Sequence, residues 1–242
     1  SATELADRLN ASRPDSAATF QADLLATADL PALVTDVVAW GGQLDALINN
    51  ASTFYPTPIG EITEAQWDDL VGSNFKAPLF LSQAAAPHLK ASGGSIVNLV
   101  DIHARRPLRD HPVYGPAKAG LGMLTRALAK DLAPEIRVNG VAPGAILWPE
   151  NDDNEAARQA VLDRTVMKRI GEASDIADAV AYFALDAPYV TGQILAVDGG
   201  GSTARIAARQ AEIDTQLLRV RVNYDRQRLE ERRARLAGHA RQ

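Results

Sequence analysis

The sequence predicts an α/β fold built on a parallel sheet. Short apolar runs recur at 44–48, 95–100, 137–142 and 193–197, each of a length suited to a buried strand. Between them lie longer stretches with helical spacing, and strands that alternate with helices build parallel sheets. The 242 residues suffice for one large domain with a sizeable core.

Taken in order, 2–10 reads as a helix and 18–22 as a short strand ending at Asp23 and Leu24. Residues 30–40 are helical and lead into the 44–48 strand. Thr63 opens a helix with Glu64, Asp68 and Asp69 outward, which continues through 79–89. Gly93 and Gly94 punctuate the chain before the 95–100 strand. Residues 113–132 form the long helix, where Pro116 is tolerated because it falls in the first turn. A further helix covers 173–185, and the last strand precedes Asp198 and the Gly199-Gly200-Gly201 triplet. That triplet is not read as a phosphate loop, since no strand–turn–helix unit surrounds it.

Composition narrows the function. The chain has no cysteine, which excludes disulfides and thiolate metal sites and agrees with a reducing, cytoplasmic setting. No apolar run approaches the roughly 20 residues of a membrane span. A net charge of -5 argues against a nucleic-acid partner. The charge is uneven, however, with ten arginines against five carboxylates from Arg205 onward. His88, His103, His111 and His239 show no metal-ligand spacing, so no metal is expected.

Chemistry concentrates between Asp101 and Gly144. Tyr114 and Lys118 are one helical turn apart and share a face. An adjacent ammonium favours the phenolate, so Lys118 is expected to lower the Tyr114 pKa and make it a general acid/base. Asp101, thirteen residues before Tyr114, ends a strand. Asn49-Asn50-Ala51-Ser52 closes the 44–48 run, Asn74 lies on the next helix, and Pro143-Gly144 follows the 137–142 strand.

In that order these residues resemble the short-chain dehydrogenase/reductases, over about residues 1–200. Ser52 where a glycine is usual, Asp101 where a serine is usual, and the segments 49–58 and 100–103 look most like the pteridine reductases. The resemblance implies a Rossmann-like, doubly wound sheet and a nicotinamide cofactor, NADPH, along the C-terminal strand ends. It implies that Asp101, Tyr114, Lys118 and Asn74 are catalytic, with Lys118 on the nicotinamide ribose and Asn74 linked to it through water. Asn74 could equally be a buried amide satisfying backbone groups. Asp23 would bond the adenine amino group beside Leu24, or serve as a helix cap. Asn50, Ala51 and Ser52 would line the cofactor, Ser1 would sit near the adenosine 2′-phosphate, and Pro143-Gly144 would face the carboxamide or simply form a turn. Phe54 would stack on a flat substrate or belong to the core, and Trp148 would flank the substrate mouth or anchor a loop. Ser52, Asp101 and Tyr114 would also touch substrate. Arg105, Arg106 and Arg109 are solvated or attract an anionic substrate. The implied reaction is hydride transfer to a dihydropterin or dihydrofolate by a homotetramer. The alternatives are a general carbonyl or alcohol dehydrogenase and a noncatalytic scaffold.

The two ends depart from this family. No glycine-rich turn opens the chain, and Ser1 to Glu4 resembles the point just after the family's second strand. A strand–helix–strand unit is therefore expected to be absent, leaving a strand edge uncovered. Residues 1–203 read as the reductase-like domain and 204–242 as a basic, helix-forming tail. Within the tail, Ala211 to Ile213, Gln216 and Tyr224 to Gly238 resemble a helical segment of bacterial chaperonins, although 218–223 also alternates like a strand.

Overall fold

The computed structural model describes residues 1–147 and 154–202. The chain divides into two compact units, one of 1–147 with 171–198, the other of 148–170 with 199–242. Trp148 and the whole 204–242 tail, with its chaperonin-like stretch, lie outside the described residues.

In the first unit, α1 (Ala2–Ser12) starts at Ser1 in a capping box with Glu4, and α2 (Leu30–Gly41) follows Asp29 with a proline in its first turn. Strand β1 (Ala46–Asn49) leads through a long loop to α3 (Glu64–Val71), which Thr63 and Gln66 cap reciprocally. A π-helical turn, Gly72–Lys76, joins α3 to α4 (Ala77–Ser92). Then come β2 (Ser95–Leu99), α5 (Tyr114–Asp131) and β3 (Arg137–Pro143). After the second unit's α6 (Glu155–Arg164), the first unit resumes with α7 (Ala173–Ala181) and β4 (Ile194–Val197). The sequence reading has no counterpart of α6, whose apolar spacing is weak.

The four strands pair in parallel in the order β1-β2-β3-β4. Alternate residues on β2 face opposite layers. Ile96 packs with Val34, Leu89 and Val138 beneath α2, α4 and α5, whereas Val97 and Leu99 pack with Val141, Ala179 and Phe183 beneath α7. Helices thus cover both faces, as the sequence predicts. All of β2 is buried, which explains its unbroken apolar reading.

One expected strand does not form. Residues 16–23 belong to no ladder, and β1 is an edge strand with Ile48 38 % exposed. A strand exists only through hydrogen bonds to a neighbour, and no described strand pairs with 18–22. Asn10 instead pins the entry to this segment, its Oδ1 accepting from Ser16 N and Ala17 N at 2.9 Å each. The continuous helix read over 63–89 is interrupted at the π turn, which re-aims the buried Asn74.

Candidate active site

Parallel pairing gathers the ends of β1, β2 and β3 along one rim of the sheet. Asn50–Ser52 leave β1 there, Asp101 follows β2, and Pro143–Gly144 close β3. Asp101 caps the short helical turn Ile102–Ala104, its Oδ1 accepting from His103 N at 2.7 Å. Its other oxygen, Oδ2, accepts the Tyr114 hydroxyl at 2.7 Å. The carboxylate is thereby fixed by one backbone donor and aimed at one phenol.

Tyr114 and Lys118 are both buried on the inner face of α5. The ammonium donates to Leu99 O at 2.8 Å and lies 5.8 Å from the Tyr114 ring centroid. The expected lowering of the Tyr114 pKa is overturned. Burial and the adjacent Asp101 carboxylate push the phenol well above its ordinary range, against a smaller opposing effect from the Ser52 hydroxyl. Lys118 is the group that is lowered, to about 8, because burial outweighs the favourable field of Asp101. At neutral pH this site therefore holds a protonated phenol, a proton donor rather than a phenolate.

Ser52 Oγ donates to Asn74 Oδ1 at 2.6 Å, and Asn74 Nδ2 donates to Thr53 O and Leu70 O at 2.8 and 3.0 Å. These bonds satisfy the buried Asn74 amide and tie it to the Ser52 turn. Phe54 is 56 % exposed, so it is not a core residue. Its ring stacks on His111 at 4.8 Å and meets Tyr114 edge-on at 4.8 Å. Beyond His111 opens a groove of about 770 Å³, walled by Pro58, Ile59, Leu108, Pro112 and Pro116, with Arg105 on its lining. Arg109 is almost fully exposed. The sequence reading considered His111 only as a metal ligand. Its place three residues before Tyr114, one turn back at the start of α5, was the signal that puts it on the same side.

These residues fit the nicotinamide half of a dinucleotide. Lys118 uses one of its three donors on Leu99 O, leaving others for ribose hydroxyls. At Gly144 a Cβ would lie 2.5 Å from Asp198 Cβ and 2.6 Å from its Cα, so only glycine permits the close approach there. The adenosine end is less developed. Ser1 spends its hydroxyl and ammonium on Glu4 at the head of α1. Asp23 is exposed and its Oδ1 accepts from Leu25 N at 2.9 Å in a local turn that caps no described helix, while Leu24 is half-buried beside it. Among the described residues no three acidic, histidine or cysteine side chains cluster as a metal site. No helix among them is long and apolar enough to cross a membrane.

Comparison with known proteins agrees with this geometry. A family model described as enoyl-(acyl carrier protein) reductase matches residues 1–202, and so lends the tail's chaperonin likeness no support. Pteridine reductase 1 of Leishmania tarentolae is 37 % identical, with 84 % of each chain covered. The 3-oxoacyl-[acyl-carrier-protein] reductase FabG of Staphylococcus aureus is 34 % identical over 75 % of each. A solved short-chain dehydrogenase/reductase of glucose/ribitol dehydrogenase type from Brucella melitensis superposes with a TM-score of 0.73 at 31 % identity. It covers 83 % of this chain and 82 % of its own.

Proposed function

The chain belongs to the short-chain dehydrogenase/reductases, nicotinamide-dependent oxidoreductases, and on that footing we propose that it is an NADPH-dependent reductase of a C=N bond in a flat heterocycle, a dihydropterin or dihydrofolate. The observation that carries this reading is the carboxylate at Asp101, hydrogen-bonded to Tyr114 at 2.7 Å. Reducing C=N needs a proton at nitrogen, and a carboxyl coupled to a protonated phenol is a proton store suited to that end. When bound, the nicotinamide supplies the hydride.

The protein's own groups divide the remaining work. Lys118 holds the ribose, Asn50, Ala51 and Ser52 line the cofactor, and Pro143-Gly144 present backbone to the carboxamide. Tyr114 donates its proton to the substrate, and half-exposed Asp101 restores it from solvent. The exposed face of Phe54 receives the substrate ring. Asp23, Leu24 and Ser1 would serve the adenosine end, and Trp148 the substrate mouth. Residues 1–203 form the reductase part and 204–242 an appended tail. Self-association into a tetramer accords with the exposed Ala119 and 64 % exposed Met123 on the outer face of α5, and absence of cysteine accords with a cytoplasmic setting.

A second reading, reduction of a 3-oxoacyl or other carbonyl substrate, is favoured by the likeness to the staphylococcal reductase. NADPH oxidation measured with dihydrobiopterin and with a 3-oxoacyl thioester separates the two. Turnover of dihydrobiopterin supports the proposal; turnover of the thioester alone overturns it in favour of the carbonyl reading.

A further inference from the structure

Resting on the reading of Phe54 as the stacking partner of the substrate, we propose that His111 is a specificity-determining residue. Its imidazole is the back plate that fixes the Phe54 ring and so selects a flat heteroaromatic substrate over an acyclic carbonyl compound.

Phe54 sits in the long loop between β1 and α3, where no regular structure holds it. A half-exposed aromatic side chain in such a loop would sample several rotamers, and ordering it on binding costs affinity. Here the ring is held from two sides. One face lies against the His111 imidazole, 4.8 Å away and tilted by 16°, and an edge contact with Tyr114 fixes the rotation at 71°. With 56 % of the residue exposed, the opposite face remains open to a ligand.

The back plate is itself well anchored. His111 Nδ1 is 2.7 Å from Arg109 O, and since a carbonyl only accepts, that nitrogen carries the proton. Nε2 is buried and without a hydrogen-bond partner. The ring is thus held by one side-chain bond and by stacking. Its backbone donates to Leu108 O at 3.3 Å and accepts from Gly115 N at 3.2 Å, which ties it to the first turn of α5 beside Tyr114. The two loops are also joined directly, since Thr57 N donates to Asp110 O at 2.6 Å. Phe54, His111 and Tyr114 therefore form one aromatic unit spanning both loops over the site. A preformed aromatic face rewards a planar ring through offset stacking and gives an acyclic chain much less.

The test uses the full chain, its His111→Ala and His111→Phe variants, and two substrates, dihydrobiopterin and an acyclic 3-oxo ester. His111→Ala is expected to raise KM for dihydrobiopterin about three- to tenfold, the worth of one aromatic pair. It should leave kcat within about twofold, and His111→Phe should restore KM. For the ester, KM should not move. Independently of turnover, the His111 ring protons should be shifted upfield in the ligand-free NMR spectrum and move downfield in Phe54→Leu. An unchanged dihydrobiopterin KM in His111→Ala, or equal rises for both substrates, overturns the selection by His111 while the reductase reading stands. A wild-type chain that turns over the ester but not dihydrobiopterin overturns the proposed function and the substrate class named here together. Absence of the ring-proton shift overturns the back plate itself.

Discussion

Asp101 is the residue on which the proposed C=N reduction turns, and its geometry states what its loss should do. One oxygen is held by His103 N and the other accepts the Tyr114 proton, so the carboxylate governs the phenol and not the dinucleotide. Asp101→Ala should therefore lower kcat for a pterin by at least tenfold, within the range of general acid–base effects. NADPH affinity, read by fluorescence titration, should stay within about threefold. Activity equal to wild type would remove Asp101 from the mechanism. Tyr114→Phe should be at least as damaging, because it removes the proton donor itself and leaves Asp101 facing an apolar ring. At this scale the sequence was readable in residue type and order but not in field. The four-residue spacing of Tyr114 and Lys118 put both on one face, and the fold buries that face. It could not show that Lys118 would turn its ammonium to Leu99 O, or that burial and a carboxylate 2.7 Å away would together raise the phenol's pKa. Spacing reports neighbours along a helix; a pKa depends on neighbours across the fold.

Between elements, a short line of buried polar side chains keeps the rim in register. Asn49 Nδ2 donates to Asn98 Oδ1 at 2.7 Å, Asn98 Nδ2 to Thr125 Oγ1 at 2.9 Å, and Thr125 to Leu121 O at 2.8 Å. The line ties β1 to β2 and β2 to the helix that carries Tyr114 and Lys118. Asn98→Ala leaves the buried Asn49 amide without its best acceptor and should cost about 1–3 kcal/mol in urea unfolding. A loss below a few tenths of that would show the amides to be independent. Gly144 is the comparable point between β3 and β4. Its N–H donates to Val197 O at 3.0 Å, and the atoms a new methyl would strike include the Asp198 Cα, which cannot step aside. Gly144→Ala should therefore part the two strand ends, destabilise the chain by about 1–3 kcal/mol, and weaken NADPH binding. The elements themselves were largely foreseen, because apolar runs and caps are local properties. The 18–22 segment was not, since its alternation is that of a strand and only a partner could make it one. Nor was the π turn at Asn74, which inserts one residue into an otherwise even helical pattern.

For the molecule as a whole, the buried ammonium sets a pH dependence whose sign follows from its shift. The fold takes Lys118 from an ordinary value of 10.5 down to about 8, so between those values the unfolded chain binds the extra proton. Stability rises with pH wherever the unfolded state holds more protons. The burden of the buried charge is thus carried in full below pH 8. It is relieved as the pH climbs towards 10, above which Tyr114, raised by burial and Asp101, turns the slope downward, because the unfolded phenol ionises first. The span of the lysine shift corresponds to an effect on the order of 3 kcal/mol at most, large against the 5–15 kcal/mol typical of a domain. Unfolding midpoints in urea, measured from pH 7 to pH 10, should therefore increase for the wild-type chain. In Lys118→Met, which keeps the stem and removes the charge, the curve should be flat over that range and lie above wild type at pH 7. A wild-type curve with no rise would mean that the ammonium is compensated by more than Leu99 O and the field of Asp101. Equal curves for the two proteins would assign any rise to another group. A buried lysine with that cost has a use that stability does not explain, and on the proposed function that use is holding the ribose hydroxyls of the nicotinamide nucleotide. Saturating NADPH should then flatten the wild-type slope, since a bound ligand that accepts hydrogen bonds from the ammonium favours its charged form in the folded state.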